Sequence, residues 1–126
     1  MSTILIVEDN EKNMKLVRDI LRHRGHETLE AVTGEDGVRL ARERRPDLVL
    51  MDIQLPDIDG IAALGKIRGD TALDRVPVLA ISASVMPDEQ QKIVASGFDA
   101  FITKPINLKQ FLATVQRLLA EGRASP

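Results

Sequence analysis

At 126 residues with no cysteine, 44% hydrophobic and 29% charged residues and a formal net charge of -2, the chain is sized for one domain that folds without disulfides or structural metal. The composition excludes a disordered chain, the balanced charge gives no footprint for nucleic acid, and thiol chemistry is absent. The opening MSTILIVEDN has no basic stretch and its apolar run meets Glu8 and Asp9. It therefore predicts neither a secretion signal nor a membrane span, and the cytoplasm is the expected compartment.

Short apolar runs alternate with helix-period segments five times, which predicts an α/β domain with a parallel sheet. The first strand is expected at Thr3 to Val7, followed by a helix whose Met14, Val17, Ile20 and Leu21 share a face and which Gly25 ends. The second strand, Glu27 to Val32, alternates, with Thr28 and Glu30 on one side and Leu29 and Ala31 on the other, as fits a half-exposed edge. Thr33 with Asp36 three residues on opens the second helix. The third strand, Asp47 to Met51, is nearly continuous in apolar residues, as suits a strand covered on both faces. After it, Asp59 precedes a helical face of Ile61, Leu64 and Ile67.

The fourth strand is expected at Val76 to Ile81 and the fourth helix at about Pro87 to Ser96. That helix has only Ile93, Val94 and Ala95 as an apolar cluster and is the least anchored of the five. The fifth strand, Ala100 to Thr103, leads to Asn107 and Gln110, which open a last helix carrying Leu108, Phe111, Leu112, Val115, Leu118 and Leu119. Residues 1–122 are expected to form one domain and residues 123–126 a frayed tail, with no output domain following.

In an open parallel sheet, ligands bind at the carboxyl ends of strands where the strand order reverses. With the order 2-1-3-4-5 that point lies between the first strand, which ends in Glu8 and Asp9, and the third, which ends in Asp52. The fourth strand ends in Ser82 and the fifth in Lys104. Three converging carboxylates repel one another and either take up protons or bind a cation. With oxygen donors only and no His at these strand ends, the donor set selects Mg²⁺ over zinc. Lys104, the Ser82 hydroxyl and nearby backbone N–H groups supply what a transferring phosphoryl group needs, and one of the carboxylates must be its acceptor.

Four motifs lie in order at these strand ends: VEDN at Val7 to Asn10, LMDIQLPDIDG at Leu50 to Gly60, ISAS at Ile81 to Ser84 and TKPI at Thr103 to Ile106. Together they resemble the receiver domain of two-component response regulators, single-domain type, over essentially the whole chain. The resemblance implies a flavodoxin-like fold of five β/α units in a doubly wound sheet of order 2-1-3-4-5. It implies Asp52 as the phosphoacceptor, with Mg²⁺ bound by Asp9, Asp52 and the backbone carbonyl of Gln54, and by Glu8 through a water. Lys104, Ser82 and the backbone of Ala83 would bind the phosphoryl oxygens, Ser82 and Phe101 would form the switch, and Pro105 would follow a cis bond. Phe101 stands where many relatives have Tyr, and Gln54 and Ser84 occupy positions tied to the dephosphorylation rate.

The implied partners are a histidine kinase or a histidine phosphotransfer protein and a downstream protein target, with no nucleic acid or membrane, and the state a monomer or weak dimer. The implied activity is self-phosphorylation and autodephosphorylation rather than turnover of outside substrates. A phosphorelay intermediate, a chemotaxis-type regulator and an unphosphorylated scaffold are the alternatives. A phosphatase with a nucleophilic Asp would need an acid two residues after Asp52, where Gln54 stands. Taken singly, Glu8 and Asp9 also read as caps of the first helix, and Asp57 and Asp59 as turn and N-cap residues. His23 and His26 read as residues facing helix-end carbonyls, the group Arg39, Arg42, Arg44 and Arg45 as a solvated face, and Phe98 and Phe111 as core.

Overall fold

The computed structural model describes residues 2–83 and 86–123. Ser84 and residues 124–126 of the expected tail lie outside the described residues. Five strands, β1 (Thr3–Val7), β2 (Glu27–Ala31), β3 (Leu48–Asp52), β4 (Val78–Ser82) and β5 (Ala100–Thr103), alternate with α1 (Glu11–His23), α2 (Gly34–Arg44), α3 (Gly60–Arg68), α4 (Pro87–Ala95) and α5 (Leu108–Glu121). A 3₁₀ turn, Thr71–Leu73, precedes β4. The sheet is parallel, in the order β2-β1-β3-β4-β5, as expected.

The central strands are buried on both faces because successive residues point to opposite sides. Ile4, Ile6, Leu48, Leu50, Leu79, Ile81 and Ile102 meet α1 through Met14, Val17 and Leu21 and α5 through Phe111, Val115 and Leu118. Leu5, Val7, Val49, Met51, Val78 and Ala80 face the other way, onto α2, α3 and α4 through Val38, Ala41, Ala63, Leu64, Ile67 and Ile93. Phe98 joins this second layer. β2 is an edge as expected, but its burial does not alternate strictly: Glu27 and Glu30 are exposed, Thr28 and Leu29 half-buried and only Ala31 buried.

Local chemistry marks the helix starts. Thr33 Oγ1 accepts from Asp36 N–H at 3.1 Å, Asp59 Oδ1 from Ala62 N–H at 2.7 Å and Asn107 Oδ1 from Gln110 N–H at 2.9 Å. Helix α1 is capped by Asn10, whose Oδ1 accepts from Asn13 N–H at 3.0 Å. Glu8 and Asp9 are therefore not its caps. Gly25 follows α1 at φ +86, the left-handed region where glycine carries no Cβ penalty. Helix α4 opens with Pro87 and no side-chain cap, and buries only Ile93.

Strand limits shift by one or two residues for identifiable reasons. Asp47 stands outside β3 because its carboxylate accepts from Thr3 N–H at 2.8 Å. Val76 stands outside β4, where its carbonyl accepts from Arg68 Nη2 at 2.8 Å and Pro77 follows without an N–H. The carboxylate of Asp99 draws together Arg68 Nη2 at 3.2 Å, Val78 N–H at 2.8 Å and Arg123 Nε at 3.4 Å, tying the end of α5 to the start of β4.

Phe111 is fully buried and Leu108, one turn earlier on α5, is 54% exposed. Phe111→Ala is expected to cost about 3–5 kcal/mol through lost burial and the cavity left behind. Leu108→Ala is expected to stay within about 0.5 kcal/mol. With no Trp or Tyr in the chain, urea unfolding followed by circular dichroism makes the comparison.

Candidate functional site

Strand register brings the acids together. Val7 pairs with Met51 and Asp52 with Ile81, so Glu8 emerges from β1 at the level of Asp52. Glu8, Asp9 and Asp52 each place one carboxylate oxygen within 4.8 Å of the others. Glu8 and Asp52 are buried, at 6% and 5% exposure, and Asp9 is exposed. Lys104, just beyond β5, reaches across with its Nζ 2.9 Å from Glu8 Oε1 and 3.1 Å from Asp52 Oδ2.

Backbone groups fix these side chains. Gln54 N–H donates to Asp52 Oδ1 at 3.0 Å, and Asn10 N–H donates to Glu8 Oε2 at 3.4 Å. Lys104 N–H donates to the carbonyl of Ser82 at 2.7 Å, and the Lys104–Pro105 bond is cis. Ser82 is buried at 3% exposure at the end of β4 and Ala83 is exposed. Phe101 lies in β5 opposite Ala80, half-buried against the layer of α2, α3 and α4. The close approach of α3 is set by Gly60, where a Cβ would fall 2.7 Å from the carbonyl oxygen of Asp52.

Of the residues expected at the site, Glu8, Asp9, Asp52 and Lys104 thus form one cluster, with Ser82 and Gln54 joined to it through backbone hydrogen bonds. A cleft of about 430 Å³ beside Glu8 and Asp9 runs between α1 and β2, lined also by Lys12, Lys15, Arg18 and Glu30. A cavity of similar size, about 480 Å³, lies among Ser2, Arg24, His26 and the apolar side of α5 and shares no residue with the cluster. The expected role of His26 holds only for its backbone, which donates to the Leu21 carbonyl at 3.1 Å, while its Nδ1 is buried without a partner. Arg39, Arg42 and Arg44 are exposed and pair with Glu43, the Lys66 carbonyl and Glu27. Arg45 ends α2 in the left-handed region at φ 46.

The response regulator receiver domain model matches residues 4–116. The chain belongs to the response regulator receiver family. Among curated proteins it is 41% identical over 120 residues to the polar-differentiation response regulator DivK of Brucella anthropi and 40% identical to that of Brucella ovis, covering 95% of this chain and 98% of each relative. Among solved structures it resembles the receiver domain of a sensor histidine kinase from Pseudomonas aeruginosa, crystallised with a magnesium ion coordinated in the active-site cleft. That match has a TM-score of 0.89 at 30% identity and covers 95% of this chain and 98% of the other. A CheY-like receiver domain protein from Methanospirillum hungatei matches with a TM-score of 0.88 at 26% identity, over 96% and 95% of the two chains. The receiver is thus a DivK-like signalling protein of the two-component type rather than a conventional enzyme. No helix among the described residues is long and apolar enough to cross a membrane.

The electrostatics of the receiver's acid cluster fit a hard dication. Burial pushes the Glu8 carboxyl up from 4.5 to about 7, reinforced by its hydrogen bond with Asp52 and the Asp52 charge and opposed by Lys104. Burial pulls Lys104 down, but its hydrogen bonds to Glu8 and Asp52 and their charges outweigh that and leave it above its ordinary value. A single ammonium therefore offsets only part of the burial and of the Asp52 charge that raise Glu8, and the cluster keeps an excess of acid groups. An all-oxygen donor set with this excess fits Mg²⁺.

Because the folded state raises Glu8, its contribution to stability is fully present below pH 4.5 and is lost as pH rises through about 7. A dication that binds the ionised form reverses this, so the Mg²⁺-induced rise in Tm is expected to be larger at pH 8 than at pH 6. In Glu8→Gln that pH dependence should flatten. Thermal melts at both pH values, with and without Mg²⁺, measure it.

Proposed function

We propose that the chain is a phosphorylation-switched binding module that accepts a phosphoryl group onto Asp52 from a phosphohistidine of a histidine kinase or phosphotransfer protein. The observation that carries this reading is Lys104 Nζ lying between Glu8 Oε1 and Asp52 Oδ2, 2.9 and 3.1 Å away, beside the three gathered carboxylates. A carboxylate oxygen of Asp52 attacks phosphorus, the P–N bond to imidazole breaks, and the electron pair stays on the imidazole nitrogen. Asp9, Asp52 and the carbonyl of Gln54 would hold Mg²⁺ directly and Glu8 would act through a water. Bound there, the ion supplies neutralising charge for the phosphoryl oxygens.

Lys104 pairs with the same oxygens, and the Ser82 hydroxyl and Ala83 N–H add donors. The group brings roughly -1.5 to -2 charge and three acceptor oxygens. Drawing Ser82 and Lys104 toward it biases a switch that includes Phe101, half-buried two residues before β5 ends. Helix α4 is the moving part we favour, since it buries only Ile93 and leaves Met86 and Val94 each 65% exposed. The face formed by α4, β5 and α5 then presents the state to a downstream protein in the cytoplasm.

An unphosphorylated scaffold would not need every acid and the lysine that this site retains. A phosphatase is disfavoured because Gln54 offers no acid two residues after Asp52.

Incubation with acetyl phosphate followed by intact mass measurement tests the reading. Wild type is expected to gain one phosphoryl group only when Mg²⁺ is present, and Asp52→Asn to gain none. No gain by wild type under conditions that label another receiver would contradict it.

A further inference from the structure

The loop between β3 and α3, residues 53–59, carries Gln54 next to Asp52 and must hold its shape for the site to be assembled. Its base is closed by Ile53 N–H to the Ile81 carbonyl at 3.0 Å and Gly60 N–H to the Ile53 carbonyl at 2.9 Å. Its tip is held elsewhere in the chain. Asp57 Oδ1 accepts from Gly34 N–H at 2.8 Å and its Oδ2 from Glu35 N–H at 2.9 Å, both at the start of α2 and more than twenty residues away in sequence. Beside it, Ile58 fits against Gly34 so closely that a Cβ there would meet Ile58 Cγ1 at 2.5 Å.

Thr33 takes the next N–H of α2, that of Asp36, so the loop and the helix's own cap divide the first free donors between them. The hydrogen bonds from Glu35 and Gly34 outweigh desolvation and hold the Asp57 carboxyl down at about 2. The latch is therefore ionised throughout the neutral range. Helix α2 in turn lies directly on β1, since a Cβ at Gly37 would meet Val7 Cγ2 at 2.7 Å. Val7 immediately precedes Glu8 and Asp9.

We infer that Asp57 is a positioning residue for the metal and phosphoryl site, fixing the loop that carries Gln54 to the helix packed on the strand that carries Glu8 and Asp9. The inference rests on the proposed Mg²⁺ and phosphoryl chemistry of the site. Asp57 contacts neither ion nor phosphoryl group and acts through the loop. Groups that hydrogen-bond a metal ligand directly change affinity by about 10–100-fold when removed; Asp57 acts one step further out, so the low end of that range is the expected effect.

The test is Mg²⁺ titration by calorimetry, well below the Tm of each protein, for wild type, Asp57→Ala, Asp57→Asn and Thr33→Val. Asp57→Asn keeps the size but turns one acceptor into a donor facing an N–H. Thr33→Val weakens the same helix end without touching the loop. The expected result is Mg²⁺ binding weakened about 10-fold in Asp57→Ala, and measurably in Asp57→Asn, with Thr33→Val losing Tm but not affinity. Equal Mg²⁺ affinity in wild type and both Asp57 variants would overturn the inference and leave Asp57 a helix cap. An equal loss in Thr33→Val would overturn it too, by tracing the effect to fraying of α2. Absence of Mg²⁺ binding by wild type would overturn the underlying reading of the site and the inference with it.

Discussion

Three carboxylates held at the ends of two buried strands, with one ammonium between them, is the constraint around which this molecule is arranged. Two like charges about 4 Å apart repel by about 4 kcal/mol at an effective dielectric of ~20. That is a large fraction of the ~5–15 kcal/mol by which a domain of this kind is stable. Burial first, and then the hydrogen bond and charge of Asp52, push the Glu8 carboxyl up to about 7, so both desolvation and crowding weigh on the site. Nothing in the packing of the sheet requires the arrangement, since apolar residues would fill the same strand ends at lower cost.

The fold supplies rigidity where the conflict is concentrated. The strands bringing Glu8 and Asp52 are the two at which the sheet order reverses, and each is covered on both faces by apolar side chains. A parallel register then leaves no freedom in the relative height of the acids. Lys104 depends on the same sheet through its backbone bond to Ser82. The thinly held element lies toward the opposite edge from β2, where α4 has no side-chain cap and buries only Ile93. Burial is thus dense beneath the charges and thin at α4, and local opening is expected to be easier there than in the sheet.

Much of this is legible in the sequence because it is local. Alternation in Glu27 to Ala31 marks the edge, continuous apolar runs mark the central strands, and Thr33 and Asn107 announce their helices through partners three residues on. The acids and Lys104 are legible because each ends a strand, and the strand order then converges them. What sequence reasoning misses joins distant segments. Asp57 looks like a turn residue, yet it caps a helix that starts 23 residues earlier. Asp99 gathers Arg68 and Arg123 from two helices' ends, with no periodicity to signal it. Asn10, the cap of α1, is masked in the sequence by the two acids just before it, although Asn is among the strongest N-cap residues.

We propose that the repulsion at Asp52 is kept for the sake of a bound dication and a transferred charge. Urea unfolding of wild type and Asp52→Asn at pH 8, in chelator and then in Mg²⁺, measures this most directly. Asp52→Asn is expected to be at least as stable as wild type in chelator and to gain little from Mg²⁺, whereas wild type is stabilised by it. A variant that is less stable than wild type in chelator, yet gains as much from Mg²⁺, would contradict it.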